Sequence, residues 1–328
     1  VHFVCDAGMS RCVLGTRQDD PSYSPPCAAC KAQSRINFSN AQVRRFRFHP
    51  DNSLGNAIKS LALAELENFS FQGMPLGRLV MPSLRWILRR HHLVDDEPTR
   101  YLCQQYMLSA WNITQKFQAF LEQVSPRCLV IFNGQFFPEA TVRHICLERG
   151  IRVISHEVGL MPFSGFFTDG EATAYPIDIP VDFTLDDRQN ARLDAYLSNR
   201  FQGHFSMAGV QFWPEIRNLS PEFTQRAAGF KQVVPVFTNV VFDTSQGHAN
   251  TLYGNMFEWL DDVLQVIRAN PETLFVIRAH PDELRQGKES RESVAGWASA
   301  NSITDLPNVI FINSTDYISS YELIQLSK

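Results

Sequence analysis

Along the first third of the chain, apolar residues recur at helical spacing. In "SLGNAIKSLALAELEN" the residues Leu54, Ile58 and Leu61 follow at intervals of four and three, and Ala62 and Leu66 continue the same face. That spacing predicts one amphipathic helix. Noisier helical patterns run from Leu76 to His92 and from Thr99 to Val124. Ahead of them, "VHFVC" predicts a short strand, and the Pro-, Gly-, Ser- and Cys-rich stretch to about Ser39 predicts a loop. The pattern then changes. "CLVIF" (Cys128 to Phe132) and "IRVIS" (Ile151 to Ser155) are apolar runs without alternation, separated by the helical "EATVRHICLERG". Such runs suit parallel strands buried on both faces, joined as a βαβ unit.

A second alternation starts with the strand "QVVPVFTN" and the loop "FDTSQGHAN". A helix follows from Asn255 to Ala269, with Met256, Leu260, Val263, Leu264 and Ile267 on its buried face. The strand "LFVIR", the helical "ESVAGWAS", the strand "NVIFIN" and the helix opening "SYELIQLS" complete it, with Ser319 and Glu322 predicting a capping box. The polar segment 186–229 between the alternations reads as a bridge. The expected fold is therefore α/β: a Rossmann-like domain over residues 1–185 with a helical insertion, the bridge, and a second Rossmann-like domain over 230–328.

Composition narrows the function. The 328 residues have a formal net charge of −4, with 44% hydrophobic and 20% charged residues. This is an ordinary globular mixture with no general electrostatic reason to bind nucleic acid. No apolar run approaches the ~20 residues that span a bilayer. Seven cysteines, an odd number, argue against a secreted disulfide framework and favour the cytoplasm. The first residue is Val and the last segment stops in a helical pattern, so both ends read as cuts within a longer protein.

The most informative stretch is "TLFVIRAHPDELR", in which a buried strand turns abruptly into Arg-Ala-His-Pro. Ligands of open parallel sheets sit beyond the carboxyl ends of strands. Arg278 and His280, two residues apart, point to one side there, and Pro281 stops further pairing. Together they suit an anion, the arginine as a planar fork of donors. Thr238, Asn239 and Asp243 follow the preceding strand, and Ser319 and Ser320 stand at a later helix start.

At these residues the chain resembles a family. "VFTNVVFDTSQGHANTLYGNMFEWL", "LFVIRAHPDE" and "SSYELI" are similar to the C-terminal domain of capsule polysaccharide biosynthesis and surface-carbohydrate glycosyltransferase-like proteins. These have the GT-B architecture and are related to bacterial Kdo transferases and sialyltransferases. "VCDAGMSRCVLGTR", "PPCAACKAQS", "LVIFNGQFFPEATVRHICLERGIRVISHEVG" and "YLSNRFQG" resemble N-terminal segments of the same group, in order. The resemblance implies two Rossmann-like domains facing across a cleft. It also implies transfer of a sugar from a nucleotide-sugar donor, CMP-sugars among them, to a glycan or lipid-linked glycan acceptor. His280 and Arg278 would meet the donor phosphate, Ser319 and Ser320 would add contacts, and Thr238 and Asn239 would line the cleft.

Transfer with inversion needs a base for the acceptor hydroxyl. Two candidates stand in the first domain: Glu157 in "SHEVG", and Asp169 in "FTDGEAT", which loosely resembles an acidic-Gly motif of sialyltransferases. His156 and Asn133 are acceptor-contact candidates. No Asp-x-Asp pair is present to hold a metal nucleotide, so neither a catalytic metal nor a cofactor is expected. A nucleotide-sugar 2-epimerase of the same architecture and a non-catalytic glycan-assembly protein remain as alternatives.

Two other features stand apart. Cys5, Cys12, Cys27 and Cys30 gather near the start, the last two as C-x-x-C. They are read as buried free thiols, with a structural zinc as the lesser alternative. The basic runs "VRRFRFHP" and "LRRHH" read first as a solvated loop and a helix end, and secondly as contacts to a polyanionic glycan or the inner face of the plasma membrane.

Overall fold

The computed structural model describes residues 1–17, 20, 22–161, 163–202 and 217–327. The chain is mixed α/β and divides into two compact units. The first comprises Val1–Glu157 with Phe166–Pro176, and the second Val158–Gly165 with Ile177–Lys328. Part of the expected bridge, and the Gly203 of "YLSNRFQG", lie outside the described residues.

The first unit contains β1 (His2–Cys5), α1 (Cys27–Asn37), β2 (Val43–Phe46), α2 (Asn52–Ile58), α3 (Leu63–Glu67), α4 (Leu76–Leu88), α5 (Glu97–Val124), β3 (Cys128–Phe132), α6 (Phe137–Glu148) and β4 (Arg152–Val158). The strand β5 (Gly165–Thr168) completes its second sheet. Its strands fall in two separate sheets, β1–β2 and β3–β4–β5, rather than in one. The reason is α5. This 28-residue helix buries Leu102, Tyr106, Met107, Ala110, Ile113 and Phe117 around much of its circumference and takes the middle of the core, touching α2, α3, α4, α6 and β2. Asp96 caps it by accepting from the Thr99 amide at 2.9 Å.

Three local expectations change here. The Pro- and Cys-rich stretch contains α1. The predicted helix over "SLGNAIKSLALAELEN" is two helices, α2 and α3, because the chain breaks after Ile58 and restarts with Glu65 accepting from the Ala62 amide at 2.8 Å. The run "CLVIF" is buried on one face only: Ile131 is 7% exposed, whereas Val130 is 55% and Phe132 44% exposed.

The second unit contains α7 (Asp187–Phe201), α8 (Pro221–Ala228), β6 (Gln232–Phe237), the single turn α9 (Gln246–Ala249), α10 (Met256–Ala269), β7 (Thr273–Arg278), α11 (Val294–Ala300), β8 (Val309–Ile312) and α12 (Ser320–Leu326). Strands β6, β7 and β8 pair in that order, all parallel, with Phe237, Arg278 and Ile312 in register at the carboxyl edge. All six residues of β7 are buried. Leu274 and Val276 join Ala227, Val233, Ile312 and Leu323 in one cluster, which leaves the buried Phe275 and Ile277 for the opposite face. Here the unbroken apolar run does mean two covered faces. Buried Asn308 locks the layers by donating to the carbonyls of Ile267 and Asn270, each at 3.0 Å.

The predicted capping box at α12 forms only by half. The Ser319 hydroxyl accepts from the Glu322 amide at 3.3 Å, but the Glu322 carboxylate accepts from the Leu219 amide at 2.6 Å instead of reaching back. Among the described residues, no helix is long and apolar enough to cross a membrane.

Candidate functional site

The carboxyl edge of the β6–β7–β8 sheet carries most of the candidates. Arg278 closes β7 and is 1% exposed. Its Nη1 donates to the carbonyls of Ala279 at 2.9 Å and Asn313 at 2.7 Å, tying the end of β7 to the loop after β8. Nε and Nη2 are buried without a partner, and burial lowers the guanidinium pKa. The fork expected to open toward a phosphate is therefore sealed from solvent and partly spent on main-chain oxygens. It remains a buried cation with spare donors, a condition that calls for a physical explanation.

His280 stands two residues on. Its Nδ1 accepts from the Asp282 amide at 3.1 Å, which leaves the ring proton on Nε2. Burial holds its pKa below the ordinary value, with Asp282 and Asp243 pulling in the other direction. The imidazole is thus a neutral Nε2–H donor at pH 7. It also caps the short turn Pro281–Leu284, which fixes the ring and leaves Nε2 as its remaining polar atom.

Thr238 is the frame. Its Oγ1 donates to the Arg278 carbonyl and accepts from the His280 amide, both at 3.1 Å, leaving it buried and committed. Asn239 is exposed, with Oδ1 accepting from the Val240 amide at 2.7 Å. Asp243 accepts from the Ser245 amide at 2.8 Å, and its charge is felt at His280. Ser319 is 1% exposed and committed to the α12 cap, while Ser320 is half-buried. The edge therefore has supporting members, Thr238, Arg278 and Ser319, and reachable ones, Asn239, Asp243, His280 and Ser320.

Glu283, three residues beyond His280, escaped notice in the sequence. It is wholly buried; Oε1 accepts from the Val294 amide at 2.7 Å, Oε2 has no partner, and burial pushes its pKa up to about 7. In "HPDEL" it looks like one more acid in a turn.

The first unit has its own group at the carboxyl ends of β3 and β4. Asn133 takes a left-handed backbone (φ 58°) and Gly134 follows at φ 90°. The Asn133 amide donates to the His156 carbonyl at 2.8 Å, and its Nδ2 donates to Glu157 Oε1 at 2.6 Å. Its Oδ1 accepts from the Gln135 amide at 2.9 Å. Glu157 and Asn133 are thus brought together, and the carboxylate is oriented by an amide. The His156 ring lies between Phe132 and Phe167, with centroids 5.5 Å and 5.0 Å away.

Asp169 is elsewhere. It forms a two-pronged ion pair with Arg152 at 2.8 and 2.9 Å, which holds its carboxyl below the ordinary value. Arg152 begins the strand that Glu157 nearly ends, roughly 16 Å away at strand spacing. Asp169 is thus exposed, ionised and paired with Arg152, near the strand's opposite end from Glu157, and the two candidate bases are not brought together. A second acid of the first unit with a displaced pKa is Glu139 in the first turn of α6, half-buried, which burial pushes up to about 7. It was hidden because an acid after Pro at a helix start reads as an ordinary dipole partner.

The four cysteines do gather. Burial raises the Cys5 thiol and pushes Cys12 up to about 11, with Cys27 and Cys30 near enough to add to both. All are free thiols, but none is buried as expected: Cys5, Cys12 and Cys27 are half-buried and Cys30 is exposed, and among the described residues no three His, Cys, Asp or Glu side chains are placed to hold a metal ion. The run "LRRHH" is not simply solvated: Arg89 ends α4 buried, with its guanidinium 4.0 Å from the Trp86 ring centroid. The chain matches no protein-family model and no curated protein sequence.

Proposed function

We propose that this chain is a metal-independent glycosyltransferase of the GT-B type, moving a sugar from a nucleotide-sugar donor to a bacterial capsule or surface polysaccharide. In this reading the second unit holds the donor, and the first unit supplies the acceptor contacts, Asn133 and His156, together with a carboxylate base, Glu157 or Glu139. A cytoplasmic location, at or near the inner membrane face, would go with it. The observation that carries the proposal is the pairing at the end of β7. A sealed arginine with unspent donors lies beside a histidine that offers Nε2–H, at the sheet edge where phosphates collect. Such fixed donors stabilise charge on a departing phosphate without a divalent ion.

The test is a melting-temperature panel of CMP-, UDP- and GDP-sugars on the full-length protein, followed by turnover with the donor that binds. One nucleotide class should raise the melting temperature, because a ligand of the native state stabilises it. His280→Ala should abolish that rise and lower turnover roughly tenfold or more. If no donor shifts the melt, or the variant turns over normally, the proposal fails. Conversion of the donor in the absence of acceptor would instead identify an epimerase.

A further inference from the structure

The basic run "VRRFR" is β2 and its exit, not a loop, and it walls a cavity of about 530 Å³ that lies wholly within the first unit. Arg44, Arg45, Arg47 and Lys116 line it against a single acid, Asp6. That acid is already taken: Asp6 accepts from Arg47 at 2.9 Å and pairs with Lys31 at 3.5 Å. Arg45 donates to the Ser34 hydroxyl at 3.0 Å. Among the described residues, the side chains of Arg44 and Lys116 make no hydrogen bond or ion pair.

These two face the same hollow. Register pairs Arg44 with Phe3, so both lie on the side of β1–β2 where Phe3 meets Phe117 and Phe120 of α5, at 5.2 Å each. Lys116 precedes Phe120 by one helical turn and so shares its face. A chain of net charge −4 thus gathers four cations in one concavity, of which only Arg47 is matched by an acid there. Gathering like charges costs free energy that an anionic occupant would return.

We infer that this cavity is a binding site for an anionic oligosaccharide, one whose sugars carry carboxylate, sulfate or phosphate groups. Its volume lies in the range of small-ligand sites and exceeds what a lone phosphate fills. The rings that line it are largely covered, so charge rather than stacking would hold such a ligand. Phe46 and Phe120 are each 8% exposed and offer no platform on which a nucleic-acid base could stack. The site stands without the donor-binding proposal; if that proposal holds, the cavity reads the charge of the glycan being extended.

Calorimetric titration of the full chain at low salt tests this. The probes are tetragalacturonate, a heparin tetrasaccharide, and methyl-esterified tetragalacturonate as the uncharged counterpart. At least one charged tetramer should bind with sub-millimolar affinity and the ester at least tenfold more weakly. Arg44→Ala with Lys116→Ala should weaken binding tenfold or more without moving the melting temperature. Lys231→Ala with Arg268→Ala, which removes the same net charge in the second unit, should leave it unchanged. Failure of both charged tetramers to bind, or equal weakening by the two double variants, would overturn the inference. So would co-sedimentation with phosphatidylglycerol vesicles that depends on Arg44 and Lys116 and is not competed by either charged tetramer.

Discussion

Gly77→Ala is expected to destabilise the first unit by about 3 kcal/mol or more, the upper end of what overpacking costs. Gly77 is buried, the second residue of α4, and its amide donates to the Phe69 carbonyl at 3.0 Å. A methyl group there would lie 2.1 Å from the Leu66 carbonyl oxygen and 2.3 Å from that of Glu67. Both are main-chain atoms at the end of α3, so no side chain can swing aside. The helices would have to part, and Leu66, Leu76, Val80 and Leu84, all unexposed, would lose their packing. Hydrogen exchange read peptide by peptide should show α3 and α4 losing protection. Gly55→Ala in α2 serves as the control, because nothing lies within 4 Å of its added methyl; it should be neutral or slightly stabilising. Equal protection in both variants would contradict the packing described for α3 and α4.

The second large effect is a pH dependence carried by Glu283. Its carboxyl moves from an ordinary 4.5 to about 7 on folding. Between those values the unfolded chain has released the proton and the folded chain still holds it. The unfolded state then binds fewer protons, so stability falls as pH rises and the loss is complete above about 7. A shift of this size corresponds to about 3 kcal/mol. Glu283→Gln keeps an acceptor for the Val294 amide and removes the titration. The variant should therefore match the parent at pH 5 and exceed it at pH 8, by an amount visible in urea-dependent hydrogen exchange of β7 and α11. Glu139 has the same sign of shift, but its signal appears in first-unit peptides. Parallel profiles for parent and variant in the second unit would show that the buried acid does not titrate as described.

How much was legible in the sequence depended on what lay against each segment. β7 and β3 are both apolar runs, yet β7 is covered on both faces and β3 on one, and periodicity cannot reveal a missing neighbour. The helix α10 was readable because its stripe, Met256, Leu260, Leu264 and Ile267, is buried as the spacing predicts, with Val263 only partly so. His280 was legible as a polar residue at a strand end, whereas the sealing of Arg278 was not, since burial of a charged side chain depends on a loop 35 residues away. Glu283 and Glu139 were invisible for the same reason: their unusual protonation comes from surroundings, not from sequence neighbours. The ion pair of Asp169 was equally hidden, because an Asp-Gly turn carries no sign of the arginine, 17 residues earlier, that it meets.

The turn at Asn133 also bears on how the chain ages. An Asn-Gly pair ordinarily deamidates when the following main-chain nitrogen attacks the side-chain carbonyl and closes a succinimide ring. Here the Gly134 nitrogen donates to the Phe132 carbonyl at 2.6 Å, and both ends of the Asn133 amide are engaged. The attacking and attacked atoms are each tethered elsewhere, so isoaspartate should accumulate at this bond only as fast as the turn opens, making it a chemical clock for local unfolding.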